Sequence, residues 1–276
     1  MNTFANTSEQ EHYVRTIAFV HHKGGTGKTT SCLNIAGWLA KMDRQVLVVD
    51  LDPQGNATTG LGIDRKSLQD NSIYEVLLGR KAMEEIILET DSGVYLAPSS
   101  LDMLAAETYL AKQGNNIDIL KEILAGIEGH FDYILIDTPP ASTLLMSNGV
   151  VAAGNIIVPL DSGVFAYEAL KILKTLIINL HNELGVETNV MMIILREYSS
   201  SFMDRRTTGS VKKLLKRFLV ENDIPQVKIF TMPFSRQVYW SQMKGMPISH
   251  YAPLSDIGRG YEKLAEELLC YEYEYV

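Results

Sequence analysis

The sequence predicts an α/β fold in which a mostly parallel, twisted sheet carries helices on both faces. Short apolar runs alternate along the chain with segments of helical length. Continuous apolar strands of this kind are typical of a sheet that is buried on both faces. One run stops at a glycine-rich loop, and two others close on aspartate. Because parallel strands present their carboxyl ends at one edge of a sheet, we expect these polar groups to meet there.

Each predicted strand is a short, mostly apolar run bounded by polar or glycine-containing segments. In chain order, the predicted strands are 16–20, 45–50, 94–97, 133–137, 155–160, 190–195 and 227–232. The intervening segments are long enough for helices. The predicted helices are 29–41, 101–112, 117–128, 165–182, 208–221 and 256–270. This alternation favours parallel pairing through crossover helices.

A single domain is the simplest organisation for this chain. It has 276 residues, no internal repeat and no Pro/Gly/Ser-rich linker. That length is close to the upper limit for one hydrophobic core. We therefore predict a short polar N-terminal arm at 1–14, one domain at 15–270 and an acidic, tyrosine-containing tail at 271–276.

Composition and charge exclude several classes of protein. The net charge of −8 and pI of about 5.3 are not those of a generally basic nucleic-acid binder, so DNA contact would require a local basic patch. The only two cysteines, Cys32 and Cys270, make neither a disulfide framework nor a CxxC site. No apolar run reaches the roughly 18 residues of a membrane span, and residues 1–13 lack the apolar core of a signal peptide. These features predict a cytoplasmic protein.

The glycine-rich loop at 21–30 (HHKGGTGKTT) has the composition of a phosphate-binding loop. Its glycines let the backbone turn tightly and aim N–H groups at phosphate oxygens. They are Gly24, Gly25 and Gly27. Lys28 is expected to reach the β- and γ-phosphates, the Thr29 hydroxyl to ligate Mg²⁺, and Thr30 to bond the α-phosphate.

This loop departs from the standard pattern G-x-x-x-x-G-K-[ST] at one position. The standard pattern needs glycine at position 22, where this chain has His22. The deviant Walker A form, which has a second lysine just before the glycines, is met by Lys23. A bound polyphosphate would offset the repulsion between Lys23 and Lys28. The loop therefore predicts a P-loop NTPase in which Lys23 acts in trans on a nucleotide held by a partner subunit.

Two predicted strands end on carboxylates suited to Mg²⁺ chemistry. Asp50 and Asp52 follow the second strand, and Asp137 ends the YILID strand. Because Mg²⁺ prefers hard oxygen ligands and keeps several waters, Asp137 would hold it through water beside Thr29. Asp52 could orient the attacking water. The predicted metal site is Thr29, Asp52 and Asp137, and the predicted catalytic residues are Lys23, Lys28 and Asp52.

Three motifs occur in a diagnostic order: KGGTGKTT at 23–30, DLDPQGNATTGLG at 50–62 and ILIDTPP at 134–140. With them the sequence resembles the ParA/Soj branch of the ParA/MinD ATPases over about residues 15–270. The stretch DPQGNATTG is the most specific of them. Segments 158–173 and 202–211 also resemble that family.

The resemblance implies an ATPase that forms a nucleotide-sandwich homodimer with ATP and Mg²⁺. It implies that Lys23 contacts the partner's nucleotide, and that Asp52 and Asp137 are the switch I and switch II aspartates. It further implies that the ATP dimer binds double-stranded DNA without sequence specificity. A ParB-type centromere-binding protein would stimulate hydrolysis to ADP, in a cycle that segregates plasmids or chromosomes on the nucleoid.

The sequence differs from the family where the base is bound. Family members often carry Pro-Arg-Asn followed by Ser-Glu-Ala, whereas this chain has MPFSR at 232–236 and WSQ at 240–242. Pro233 is the remaining candidate for base contact. The predicted nucleotide contacts are Lys23, Gly24, Gly25, Thr26, Gly27, Lys28, Thr29, Thr30 and Pro233.

A basic helix face is predicted within 208–221. At about 100° per residue, its cations lie opposite an apolar stripe that should face the core. The stripe is Val211, Leu214, Leu215, Phe218 and Leu219. The candidate DNA contacts are Arg205, Arg206, Lys212, Lys213, Lys216, Arg217 and Arg236. Phosphate contacts by such residues would be independent of sequence and sensitive to salt.

Several other functions share the phosphate loop. A ParA-like ATPase could position a protein cargo, and a clamp could bind DNA with ATP while turning over negligibly. A P-loop tyrosine kinase would use a tail such as Tyr271, Tyr273 and Tyr275. A MinD-like membrane ATPase usually ends in a basic amphipathic helix, whereas this chain ends in acidic residues that anionic lipid would repel.

Overall fold

The computed structural model describes most of the chain from residue 15 to residue 273. The described residues are 15–114, 116–140, 144–162, 187–197, 202–222 and 226–273, with scattered positions between 168 and 185. The predicted N-terminal arm at 1–14 lies outside them.

Eight strands of the described part of the chain form one sheet. They are β1 Arg15–Phe19, β2 Val46–Asp50, β3 Leu88–Glu89, β4 Tyr95–Ala97, β5 Tyr133–Asp137, β6 Asn155–Asp161, β7 Asn189–Arg196 and β8 Lys228–Met232. The strand order is β3-β4-β2-β5-β1-β6-β7-β8. The pairings are parallel except between β3 and β4. The predicted mostly parallel α/β sheet is confirmed, and each predicted strand is present to within one residue at either end.

Ten α-helices lie in the described ranges given above and are labelled here in chain order. They are α1 Lys28–Lys41, α2 Asn56–Gly60, α3 Ile73–Leu77, α4 Met103–Lys112, α5 Ile119–Ala125, α6 Leu144–Ala153, α7 Phe202–Glu221, α8 Arg236–Met243, α9 Ile248–Tyr251 and α10 Asp256–Tyr273. None of them combines the length and apolarity that a bilayer crossing requires.

The sheet is the middle of three layers. Successive side chains of a strand point to opposite faces, so Leu47 and Val49 enter one core cluster while Val46 and Val48 enter the other. Residues of α4, α5, α6 and α7 complete the first cluster. Residues of α1 and α10 complete the second. Helices thus cover both faces, as the apolar strands predict.

Several helix ends differ from the predictions. Helix α5 spans Ile119–Ala125 where 117–128 was predicted, and α4 begins at Met103, two residues after the predicted start. The final helix α10 continues to Tyr273 and therefore includes the first residues of the predicted tail. Helix α7 begins at Phe202, six residues before the predicted start at 208. The predicted helix at 165–182 lies largely outside the described residues, and the positions described within it are helical.

Candidate functional site

The phosphate loop joins β1 to α1 at the carboxyl edge of the sheet. Gly25 has φ 78° and Gly27 has φ 96°, both in the left-handed region that glycine adopts without strain. Gly27 is also the N-cap of α1 and supplies no capping side chain. The first-turn N–H groups of α1 consequently have no side-chain acceptor from their cap, an arrangement that favours an anion.

Lys28 lies within the curve of the loop and is buried. Its Nζ donates to the carbonyl oxygens of His21 at 3.2 Å and Lys23 at 3.3 Å. Burial lowers the pKa of Lys28, whereas the carboxylates of Asp137 and Asp52 act in the opposite direction. The ammonium therefore lies inside the phosphate loop, close to the two carboxylates that the sequence predicts to bind Mg²⁺.

The two histidines before the loop are part of its scaffold. Their rings stack with centroids 4.7 Å apart. His21 Nδ1 accepts a hydrogen bond from the Lys23 N–H at 2.9 Å. Burial, followed by the charges of His22 and Lys28, lowers the pKa of His21 to about 4. His21 is thus neutral near pH 7 and available as the acceptor that holds Lys23 at the start of the turn.

Asp137 and Thr29 form the arrangement that most clearly indicates a cation-binding site. Thr29 Oγ1 donates to Asp137 Oδ2 at 2.7 Å. Asp137 Oδ1 is buried and accepts no hydrogen bond from any residue that the structure describes. Burial, with the nearby Asp50 charge, raises the pKa of Asp137 well above its usual range. Because buried polar atoms normally have partners, this orphaned oxygen beside a hydroxyl fits a hydrated Mg²⁺.

The neighbouring aspartates Asp50 and Asp52 have different surroundings. Asp50 is fully buried and accepts from the Thr58 N–H at 2.8 Å and the Thr58 hydroxyl at 2.7 Å. Burial raises the pKa of Asp50 to about 6. Asp52 instead lines the cavity, where its Oδ1 accepts from the Gln54 N–H at 2.9 Å. Asp50 therefore anchors α2, and Asp52 is the carboxylate presented to a ligand.

Arg65 holds the loop that follows Asp52, and no sequence pattern pointed to it. Its guanidinium donates to three backbone carbonyls: Gln54 at 2.6 Å, Pro53 at 2.7 Å and Ser99 at 3.3 Å. A Cβ added at Gly55 would lie 2.3 Å from Arg65 Nε. Arg65 therefore ties the DPQG turn to the end of the β4 segment.

An open cavity of about 520 Å³ connects these parts. It is lined by Gly24, Gly25, Gly27, Lys28, Thr29, Thr30, Asp52, Gln54, Asn56, Thr59, Gly60, Pro140, Arg196, Tyr239, Gln242 and Met243. Helix α8 closes one side, where Gln242 Nε2 donates to Thr30 Oγ1 at 3.1 Å. Sequence reasoning missed Arg196, which belongs to no recognised motif. It also assigned no contact to Gln242, because WSQ at 240–242 departs from the family pattern.

Three predicted nucleotide contacts lie outside the described lining of this cavity. Lys23 is exposed at the start of the loop. Thr26 is buried, and its hydroxyl donates to the Lys23 carbonyl at 3.5 Å. Pro233 follows β8 and is close to Gly260. The cavity is lined by an exposed aromatic ring of α8 rather than by Pro233. This ring is Tyr239, which is 57% exposed.

Helix α7 presents the predicted basic face. Arg206, Lys213, Lys216 and Arg217 are exposed, and Lys212 is half-buried. Arg217 Nε pairs with Glu221 at 2.7 Å. The side chain of Arg205 lies outside the described residues, and Arg236 is exposed at the start of α8.

The prediction that Leu214 belongs to the apolar stripe of α7 is wrong. Val211, Leu215, Phe218 and Leu219 are buried, whereas Leu214 is 51% exposed. At about 100° per residue, the four buried positions already form a complete stripe, and Leu214 lies at its rim.

Comparison with known proteins agrees with this geometry. A family model described as "AAA domain" matches residues 14–192. The chromosome-partitioning ATPase Soj of Treponema pallidum is 32% identical over 93% of this chain and 97% of its own. The Soj of Thermus thermophilus is 32% identical over 93% of this chain and 96% of its own.

Solved structures of related sequence share the fold. The crystal structure of cobyrinic acid a,c-diamide synthase from Mycobacterium smegmatis, with bound ATP analog and magnesium, has a TM-score of 0.79 and 28% identity. It covers 95% of this chain and 96% of its own. Because the two Soj proteins are 32% identical to this chain over 93% of its length, the chain belongs to the ParA/Soj family of partitioning ATPases.

Proposed function

We propose that this protein is a partition ATPase that binds ATP with Mg²⁺ in the cavity described above and hydrolyses it to ADP and phosphate. The observation that carries the proposal is the orphaned Asp137 Oδ1 beside Thr29, at the mouth of a glycine loop that holds Lys28. The family relatives named as chromosome-partitioning ATPases support the same conclusion.

Each group of the cavity has a distinct task in nucleotide binding. The loop N–H groups and Lys28 bind the phosphates, in place of the carbonyl contacts that Lys28 makes to His21 and Lys23. Thr29 and Asp137 would hold Mg²⁺, and its positive charge would offset the negative charge of the phosphates. The base and ribose lie towards α8, where Tyr239 and Gln242 line the cavity.

Hydrolysis depends on placing a water molecule, and Asp52 is the group proposed to place it. Its carboxylate reaches the cavity, and the Gln54 N–H fixes Oδ1. Arg65 holds the carbonyls of Pro53 and Gln54, so the turn carrying Asp52 has a defined position. Since phosphoryl transfer relies on positioning and electrostatics, a fixed carboxylate at this place suffices for slow turnover.

Dimerisation and DNA binding complete the proposed cycle. Lys23 is exposed at the loop and would reach a nucleotide held by a second copy. The cations of α7 would contact the phosphates of any duplex. A ParB-type partner would stimulate hydrolysis and end DNA binding, so that the protein acts in the cytoplasm on nucleoid DNA and segregates a plasmid or chromosome.

Binding to a random-sequence DNA duplex tests the proposal. It is measured without nucleotide, with ADP and with ATP, at two salt concentrations. We expect binding with ATP that weakens as salt rises, because phosphate contacts release counterions. If ATP binds but DNA does not bind in any state, the partition function is wrong and a protein cargo becomes the better hypothesis.

Incubation with ATP separates the kinase alternative. A tyrosine kinase would acquire phosphotyrosine in its tail, whereas the proposed ATPase releases phosphate. In this structure the Tyr271 hydroxyl donates to the Met191 carbonyl at 3.3 Å, so this tyrosine packs against the sheet. We expect no phosphotyrosine by mass spectrometry.

A further inference from the structure

Arg196 and Asp161 form an ion pair beside the phosphate loop, which Arg196 contacts at the Gly25 carbonyl. They end the adjacent strands β7 and β6 and are register partners in the sheet. Arg196 belongs to no motif of the sequence, and Asp161 lies in segment 158–173, to which the motifs assign no role. We propose that Arg196, held by Asp161, is a positioning residue that fixes the Gly25 peptide of the phosphate loop for nucleotide binding. This inference rests on the proposed ATP site.

The Arg196 guanidinium donates hydrogen bonds to two groups, the Asp161 carboxylate and the Gly25 carbonyl. Nη2 donates to Asp161 Oδ1 at 2.7 Å, and Nε donates to the same oxygen at 3.1 Å. Nη2 also donates to the Gly25 carbonyl at 2.7 Å. The side chains are 36% exposed for Arg196 and 21% for Asp161, so the pair is only partly screened by water. One arginine thereby connects the strand ends to the loop.

The Gly25 carbonyl requires such a partner for electrostatic reasons. A phosphate loop works through N–H groups, and a carbonyl dipole turned towards the ligand would repel it. Gly25 has φ 78° and no side chain to restrict its rotation. Because C=O and N–H point in opposite directions across a planar trans peptide, fixing the Gly25 carbonyl also fixes the N–H of Thr26.

Asp161 decides whether Arg196 acts on the loop or on the ligand. The carboxylate accepts two of the guanidinium's hydrogen bonds, which orients the side chain and offsets its charge. If Arg196 contacted phosphate directly, removing Asp161 would release it and strengthen binding. If Arg196 positions the loop, removing Asp161 weakens binding, because the arginine loses its orientation. The two roles therefore predict opposite signs.

The experiment measures ATP and ADP affinity, with kcat and KM, for Arg196→Gln, Asp161→Asn and the double variant. We expect each single variant to weaken nucleotide affinity about tenfold, the loss of one charge-assisted hydrogen bond. The double variant should be no worse than the singles, because both act through one contact. Arg196→Lys should remain impaired, since one ammonium lacks the planar fork that serves both acceptors.

Arg80→Gln is the matched control, because it removes an exposed arginine from another ion pair, with the largely buried Glu75. It should bind nucleotide normally. Thermal unfolding shows whether each variant keeps its fold. If Arg196→Gln does not fold, the nucleotide affinity of Arg196→Lys decides the test. Tighter binding by Asp161→Asn, additive losses, or wild-type affinity in Arg196→Gln would overturn the positioning role. Absence of nucleotide binding by the unaltered protein would instead overturn the proposed function.

Discussion

At the scale of single residues, the site separates groups of the same chemical type by their surroundings. Only one residue separates Asp50 from Asp52, yet only Asp52 lines the cavity. The carboxylate oxygens of Asp50 accept hydrogen bonds from Thr58 and from the Asp52 N–H. A substitution at Asp50 should therefore affect stability, and one at Asp52 should affect turnover.

Lys28→Ala and Asp52→Ala divide binding from hydrolysis. We expect Lys28→Ala to abolish ATP binding, because the β- and γ-phosphates lose their cation. Asp52→Ala should bind ATP within about twofold of the unaltered protein and lose at least about a hundredfold in kcat, as removal of a positioning group does. Equilibrium nucleotide binding and phosphate release measure the two effects.

Asp70→Ala provides the control for a lost surface carboxylate, because Asp70 is exposed and outside the cavity. It should leave both quantities unchanged. Normal turnover by Asp52→Ala would show that another group places the attacking water.

Residue contacts between distant segments are what sequence could not predict. The glycine loop, Asp52 and Asp137 are carried by contiguous motifs, so their meeting follows from the carboxyl-edge rule alone. Arg196 and Asp161 meet because β6 and β7 are paired in one register. Arg65 reaches the carbonyl of Ser99 across 34 positions of sequence. No periodicity or residue spacing in the sequence predicts either contact.

At the scale of elements, the strands were predictable because both of their faces are buried. Helix α1 was predictable because it follows the glycine loop. Helix α6 was missed because LLMSNGVVAA is buried around most of its circumference and so has no polar face to mark a period. Helices α2 and α3 span five residues each and β3 two, lengths too short for a pattern to appear.

The outward face of α7 should govern DNA affinity. We expect the variant Lys213→Gln/Lys216→Gln/Arg217→Gln to weaken ATP-dependent binding to a random duplex at every sequence tested. The slope of log affinity against log salt should fall by about one for each phosphate contact removed. Fold stability should change little, because the pair that Arg217 makes with Glu221 is exposed to solvent.

Lys66→Gln/Arg80→Gln is the comparison for this variant, since it removes two exposed cations outside α7. It should keep the original salt slope. If both variants bind DNA like the unaltered protein, the face is a solvated helix surface, and another part of the dimer contacts DNA.

At the scale of the whole molecule, charge makes the proposed cycle depend on nucleotide. The chain carries a net charge of −8, so two copies repel each other, and each copy also repels DNA except at a basic face. A bound nucleotide gives Lys23 of a second copy an anion to contact. Pairing of two copies would also double the number of α7 cations available to one duplex. In the proposed cycle, repulsion between free copies and attraction of Lys23 to a bound nucleotide would together make assembly depend on nucleotide.

Lys23→Ala tests this dependence, in an Asp52→Ala background where ATP persists. We expect this double variant to bind ATP through Lys28 but to remain monomeric by analytical ultracentrifugation, whereas Asp52→Ala alone dimerises with ATP and not with ADP. Lys66→Ala in the same background removes an exposed lysine elsewhere and should still dimerise. If the Lys23→Ala form dimerises to the same extent, the nucleotide is not contacted across the interface. Its DNA affinity would then stay ATP-dependent, because the α7 faces would still be brought together.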